Sequence, residues 1–157
     1  PVNAGGGEDR KCTGVVLYGP SRTGKGHLAR AVCRAVIERF GHCVDDRFGF
    51  VSVRVINCRE MFATNRTVMG GVDPDRYSGY ALLVLEDPFA GSGKMTDAQA
   101  ELTYRILEKR FTLCLPTIVT SNYNDIDKFA SAFERRNINR LGHRVHAVHC
   151  HWPQYRG

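Results

Sequence analysis

Five short apolar runs alternating with segments of helical periodicity predict an α/β fold: a three-layer sandwich whose mostly parallel, five-stranded sheet carries helices on both faces. Two further observations point the same way. The run TGVVLY leads directly into GPSRTGKG, residues 19–26, a loop with glycine at each end of its core and lysine after the second. The run YALLVLED, residues 80–87, stays apolar until it ends in two acids, as a central parallel strand does when its carboxyl end faces a ligand.

Each element has its own signal. Residues 1–11, PVNAGGGEDRK, read as a flexible lead-in of three glycines and mixed charge, and 12–157 as one domain. Thr13–Tyr18 reads as a buried strand. After Lys25 the period changes: Leu28, Ala31, Val32, Ala35 and Val36 recur at helical spacing as far as Phe40, and Gly41 is placed to cap the end. FGFVSVRVINC, 48–58, alternates β-branched residues with Ser52 and Arg54 and predicts a second strand. Residues 80–87 form the third. TDAQAELTYRILEKRF, 96–111, predicts a helix with Thr96 or Asp97 as N-cap and Ala100, Leu102, Thr103, Ile106, Leu107 and Phe111 on or near one face. LPTIVTSN, 115–122, is a strand that tolerates Pro116 at its start. A polar helical stretch, 123–141, leads to the last alternating strand, RVHAVHCHW.

The 157 residues, 43% hydrophobic and 24% charged, suffice for one buried core. No apolar stretch approaches the roughly 18 residues of a membrane span, and no signal segment is evident. A cytoplasmic setting is the default expectation. The six cysteines lack any C-x-x-C pair and read as reduced and structural. A net charge of +6 suits a polyanion partner, although many soluble proteins are mildly basic.

The loop after the first strand carries the chemistry. Gly19, Pro20, Ser21, Arg22, Thr23, Gly24, Lys25, Gly26 and His27 form a candidate nucleotide-binding set, in which backbone N–H groups and a helix N-terminus face phosphate oxygens. Lys25 would neutralise the β- and γ-phosphates of ATP. Gly26 stands where the usual pattern has Ser or Thr, whose hydroxyl helps hold Mg²⁺. A carboxylate is expected on a second strand: Glu86 on the Mg²⁺ side, directly or through water, and Asp87 to orient or activate the attacking water. Asn122, with Ser121, ends the next strand within reach of the γ-phosphate or that water. The bland alternatives are a structural glycine turn and a solvated acidic turn. His143, His146, His149, Cys150 and His151 invite a zinc reading, but strand alternation sends His149 and His151 away from His146 and Cys150, so a plain histidine-rich strand is favoured.

The ordered set LYGPSRTGKGHLARA, YALLVLEDPF, TDAQAELTYRILEKRF and LPTIVTSN resembles the AAA+ ATPases of the DnaC/DnaI helicase-loader and IstB transposition-helper group. Thr96 to Gln99, Lys109-Arg110-Phe111 and Pro116 to Asn122 carry the resemblance more specifically than the loop. It implies an AAA+/RecA-like P-loop NTPase fold that binds ATP or ADP with Mg²⁺. It also implies single-stranded DNA and a hexameric replicative helicase as partners, and self-association in an ATP-dependent spiral or ring. Under it Asn122 resembles sensor 1, Arg140 an arginine finger toward a neighbouring subunit, and Arg156 the sensor 2 arginine; a solvated basic face is the alternative for Arg140. The segment 57–79 lies where such proteins carry DNA-contacting insertions, with Arg59, Arg66, Arg76, Phe62 and Tyr77 as candidates. Gly26 and the Glu86-Asp87 pair depart from the family pattern, and both touch metal binding. Three other readings stand beside the loader: a nucleotide-responsive DNA-binding module with little hydrolysis, an IstB-like helper, and a viral superfamily-three helicase in a host nucleus, whose loop GPSRTGK also resembles.

Overall fold

The central strands are apolar at consecutive positions because both of their faces are covered. In the computed structural model, which describes residues 11–42, 44–45, 49–67, 71–89 and 93–153, the elements run in order. They are β1 (Thr13–Tyr18), α1 (Lys25–Phe40), β2 (Val44–Asp45), β3 (Gly49–Phe50), β4 (Val53–Asn57), α2 (Cys58–Thr67), α3 (Asp75–Ser78), β5 (Leu82–Glu86), α4 (Asp97–Thr112), β6 (Thr117–Ser121), α5 (Ile126–Phe133), α6 (Arg135–Leu141) and β7 (Arg144–His149). The main sheet has the order β4-β5-β6-β1-β7, and every pairing in it is parallel. Alternation divides the core. Val16, Leu83, Leu85 and Val119 pack with α2, α4, α5 and α6 on one face. Leu17, Leu82, Val84 and Ile118 pack with Ala29 and Cys33 of α1 on the other.

The expected strand over 48–58 is two pieces. Gly49–Phe50 pairs antiparallel with Val44–Asp45, away from the main sheet, and β4 begins only at Val53, opposite Leu82. Phe48 itself lies outside the described residues. The stretch 123–141 is also divided: Asp125 caps α5 by accepting the N–H of Asp127 at 2.8 Å, and Glu134, at φ 66°, separates it from α6. The last strand forms as expected, as the exposed edge β7. Its alternation places the His149 ring 4.8 Å from Tyr18 and 5.1 Å from His151, while Cys150 is buried. Among the described residues no group of three or more His, Cys, Asp or Glu could hold a metal. Five cysteines there are free, Cys43 lying outside, and no described helix is long and apolar enough to cross a membrane.

Two motifs turn out to be architecture. Thr96 and Gln99 form a reciprocal capping box: the Thr96 N–H donates to Gln99 Oε1 at 2.9 Å, and the Gln99 N–H to Thr96 Oγ1 at 3.4 Å. Arg110, 1% exposed, is a clamp between α4 and the sheet. It donates to Thr117 Oγ1 at 2.8 Å, to the carbonyls of Ser78 at 3.0 Å and Tyr80 at 2.7 Å, and to that of Pro116 at 2.6 Å. No carboxylate among the described residues pairs with it; burial pushes its pKa down to about 10, so it stays charged at neutral pH.

Candidate functional site

Parallel strands bring their carboxyl ends to one edge, and their register here aligns Asn57 with Glu86, Glu86 with Thr120, and Tyr18 with Ser121. A cleft of about 420 Å³ opens there. The loop from β1 to α1 contributes Arg22, Gly24, Lys25, Gly26 and His27 to its wall, and the strand ends contribute Asn57, Arg59, Glu86, Asp87, Thr120 and Asn122. That is within the size range of small-molecule sites.

The loop's shape follows from its glycines and its internal bonds. Gly19, at φ 138°, passes so close to β7 that an added Cβ would stand 2.4 Å from the Cys150 carbonyl oxygen, and Gly24 turns into α1 at φ 81°. Thr23 Oγ1 donates to the Pro20 carbonyl at 2.9 Å, and the Trp152 indole N–H donates to the Thr23 carbonyl. Lys25, 6% exposed, points its Nζ to the carbonyls of Gly19 at 2.9 Å and Pro20 at 2.5 Å. Burial lowers the Lys25 pKa, and the nearby Cys150 and Asp87 oppose that shift. Ser21 and His27 are exposed.

Asp87 faces this lysine. Its N–H donates to the Thr120 carbonyl at 3.1 Å, and its carboxylate accepts from Asn122 Nδ2 at 3.2 Å, so two of the expected site residues are in direct contact. Burial raises the Asp87 pKa against the opposing hydrogen bond from Asn122 and the charge of Lys25. The stability this group contributes is therefore full below the ordinary carboxyl pKa and is lost as pH rises through its folded value, so the ionised form costs stability at neutral pH. Asp87→Asn keeps a side chain tolerant of φ 45° and is expected to raise the melting temperature of the free chain by about 2 °C. Thermal unfolding followed by circular dichroism checks this; a lower melting temperature would contradict it.

Glu86 has a different partner. The Arg30 guanidinium lies 2.9 Å from its Oε1 and 3.0 Å from its Oε2. Mg²⁺ asks for oxygen donors in near-octahedral array. Gly26 offers no hydroxyl, both Glu86 oxygens face the Arg30 guanidinium, and among the described residues Asp87 is the other carboxylate lining the cleft. A tightly held Mg²⁺ does not fit this donor set.

Other expected residues lie elsewhere. Arg140 pairs with Glu108 and sits 5.2 Å over the Phe111 ring, lining a second hollow with Lys11 and His143. The His143 N–H donates to the Cys12 carbonyl just before β1, which puts that hollow at the opposite end of the sheet from the cleft. Arg156 lies outside the described residues, as does the side chain of Arg66. Phe62, expected as a stacking surface, is a core residue at 5% exposure: α2 turns it inward, and Tyr77 also packs against the core. Arg76 is exposed. Arg59, expected as a DNA contact, lines the cleft, and three further residues bear on it: Arg30, Asn57 and Thr120. Their signals were positional, since Arg30 follows Gly26 by one helical turn and Asn57 ends the strand beside Glu86.

No family model matches the sequence, and no curated protein matches it significantly. Solved structures do share its fold. A structure of the DnaC helicase loader is 21% identical with a TM-score of 0.66, covering 87% of this chain and 78% of that one. DnaI is 20% identical at TM-score 0.67, covering 88% and 73%. The replication initiator DnaA, bound to AMPPCP and single-stranded DNA, is 17% identical at TM-score 0.62; the match covers 87% of this chain but 40% of DnaA. This chain shares with them the α/β fold that its sequence predicts, helices on both faces of a five-stranded parallel sheet.

Proposed function

We propose that this chain is the ATP-binding AAA+ domain of a replicative helicase loader, acting in the cytoplasm at the initiation of DNA replication. ATP or ADP occupies the cleft, single-stranded DNA and a hexameric helicase are its partners, and copies of the chain assemble side by side in a spiral or ring. One observation carries the reading: Lys25, in a glycine loop at a helix N-terminus, stands opposite the bonded Asp87–Asn122 pair at the ends of adjacent parallel strands.

In this reading the backbone of residues 19–27 cradles the phosphates, Lys25 neutralises them, Asp87 takes the proton of an attacking water, and Asn122 orients it. Glu86 stands beside them with its carboxylate held by Arg30, and Arg156 takes the sensor 2 role that the resemblance implies. Arg140, at the far end of the sheet from the cleft, would act in this reading on a neighbour's nucleotide rather than its own. The DnaA structure, with AMPPCP and single-stranded DNA on the same fold, supports both ligand classes.

A second reading, a nucleotide-responsive DNA-binding module with little turnover, draws on Gly26 and the Arg30–Glu86 pair. ATP turnover with and without single-stranded DNA, for the native chain and Gly26→Thr, separates the two. The loader reading expects DNA binding that strengthens with ATP and turnover comparable to the Thr variant. Turnover confined to Gly26→Thr selects the module, and no ATP-dependent DNA binding contradicts both.

A further inference from the structure

The residue at 26 and the ion pair beyond it are spatially linked. A Cβ on Gly26 would stand 3.1 Å from Arg30 Nη1 and 3.2 Å from Glu86 Oε1. The room that a serine or threonine side chain takes at this point of a phosphate loop is thus bordered by the Arg30–Glu86 pair. One helical turn brings Arg30 over Gly26, so a side chain at 26 meets the pair and makes it shift. One guanidinium nitrogen of Arg30, Nη2, meets both oxygens of Glu86, so a single charged donor bridges the carboxylate.

We propose that Arg30 is the resident cation of this site, holding Glu86 in place of a divalent metal, so that nucleotide binds without requiring Mg²⁺. The inference rests on the nucleotide-binding reading. An exposed ion pair is weak by itself, and Arg30 is 57% exposed, so the pair alone would not keep a metal out. The missing hydroxyl tips the balance: a metal here must displace a guanidinium and then lacks a ligand that the usual loop supplies. Lys25 and Arg30 together provide fixed positive charge on successive turns of α1, near the phosphates at Lys25 and at Glu86 for Arg30. Arg30 is a positioning residue, acting through Glu86.

The test is the affinity for a fluorescent ATP analogue, by polarisation, of the native chain and of Arg30→Ala, each in excess Mg²⁺ and in excess EDTA. Arg30 is exposed on α1, so alanine leaves the core and helix intact. The native affinities are expected to agree within about threefold, and Arg30→Ala to bind at least about tenfold more weakly in EDTA than in Mg²⁺. A native loss greater than about threefold in EDTA overturns the proposal while leaving nucleotide binding standing. Equal affinities for Arg30→Ala in the two conditions overturn it as well. No binding by either protein in either condition removes the nucleotide reading itself, and the inference with it.

Discussion

Arg110→Met is expected to destabilise the protein by about 3–5 kcal/mol, since four acceptors lose their donor at about 1–3 kcal/mol each while the buried guanidinium's desolvation cost is relieved. The methionine stem fills most of the volume but leaves the Thr117 hydroxyl and the carbonyls of Ser78, Tyr80 and Pro116 without their donor in a site 1% exposed. Arg110→Lys restores the charge but not the fork, and should recover only part of the loss. Urea unfolding measured by circular dichroism gives the difference directly. A change under about 1 kcal/mol for Arg110→Met would show that the clamp is dispensable. The effect is structural, so it should appear equally with and without nucleotide.

Lys25→Met has the opposite profile: nucleotide affinity falls about 100-fold while the fold survives. Removing one member of a buried charge contact typically costs a few kcal/mol, which sets that scale. The ammonium is held against loop carbonyls at 2.5 and 2.9 Å in a site that disfavours its charge, so methionine gives back a desolvation cost as it removes those bonds. Competition binding of ATP against a fluorescent analogue reads the affinity, and a thermal melt confirms folding. Unchanged affinity in a folded variant would take Lys25 out of the site.

The contrast between these residues shows what was legible in the sequence. The order of elements was, because parallel strands buried on both faces read as continuous apolar runs and α4 carries clear periodicity; in α1 the periodic residues Leu28, Ala31, Val32 and Ala35 lie exposed, and Ala29 and Cys33 face the sheet instead. The phosphate loop and the acidic strand end were legible for the same reason: short local patterns fix their positions relative to each strand. The most specific parts of the family resemblance, Thr96 to Gln99 and Arg110 with Pro116-Thr117, prove to be a helix cap and an interior clamp. Arg110 was visible only as part of a motif, since a buried arginine satisfied by carbonyls leaves no charged partner in sequence to point to it. Phe62 and Arg30 were misjudged or missed because the outcome depends on how α2 and α1 rotate against the sheet, which the short α2 segment does not fix and the apolar spacing of α1 does not reveal. The break at residues 51–52 escaped because β3 takes its partner from β2, a long-range choice between two sheets.

The single tryptophan of the chain lies against the loop, its indole bonded to the Thr23 carbonyl, and provides a built-in reporter. Titrating the native chain with ATP while following Trp152 fluorescence should give a saturable change that ADP reproduces and Lys25→Met abolishes. A folded chain whose tryptophan signal and calorimetric heat both stay flat up to millimolar ATP would contradict nucleotide binding in the cleft.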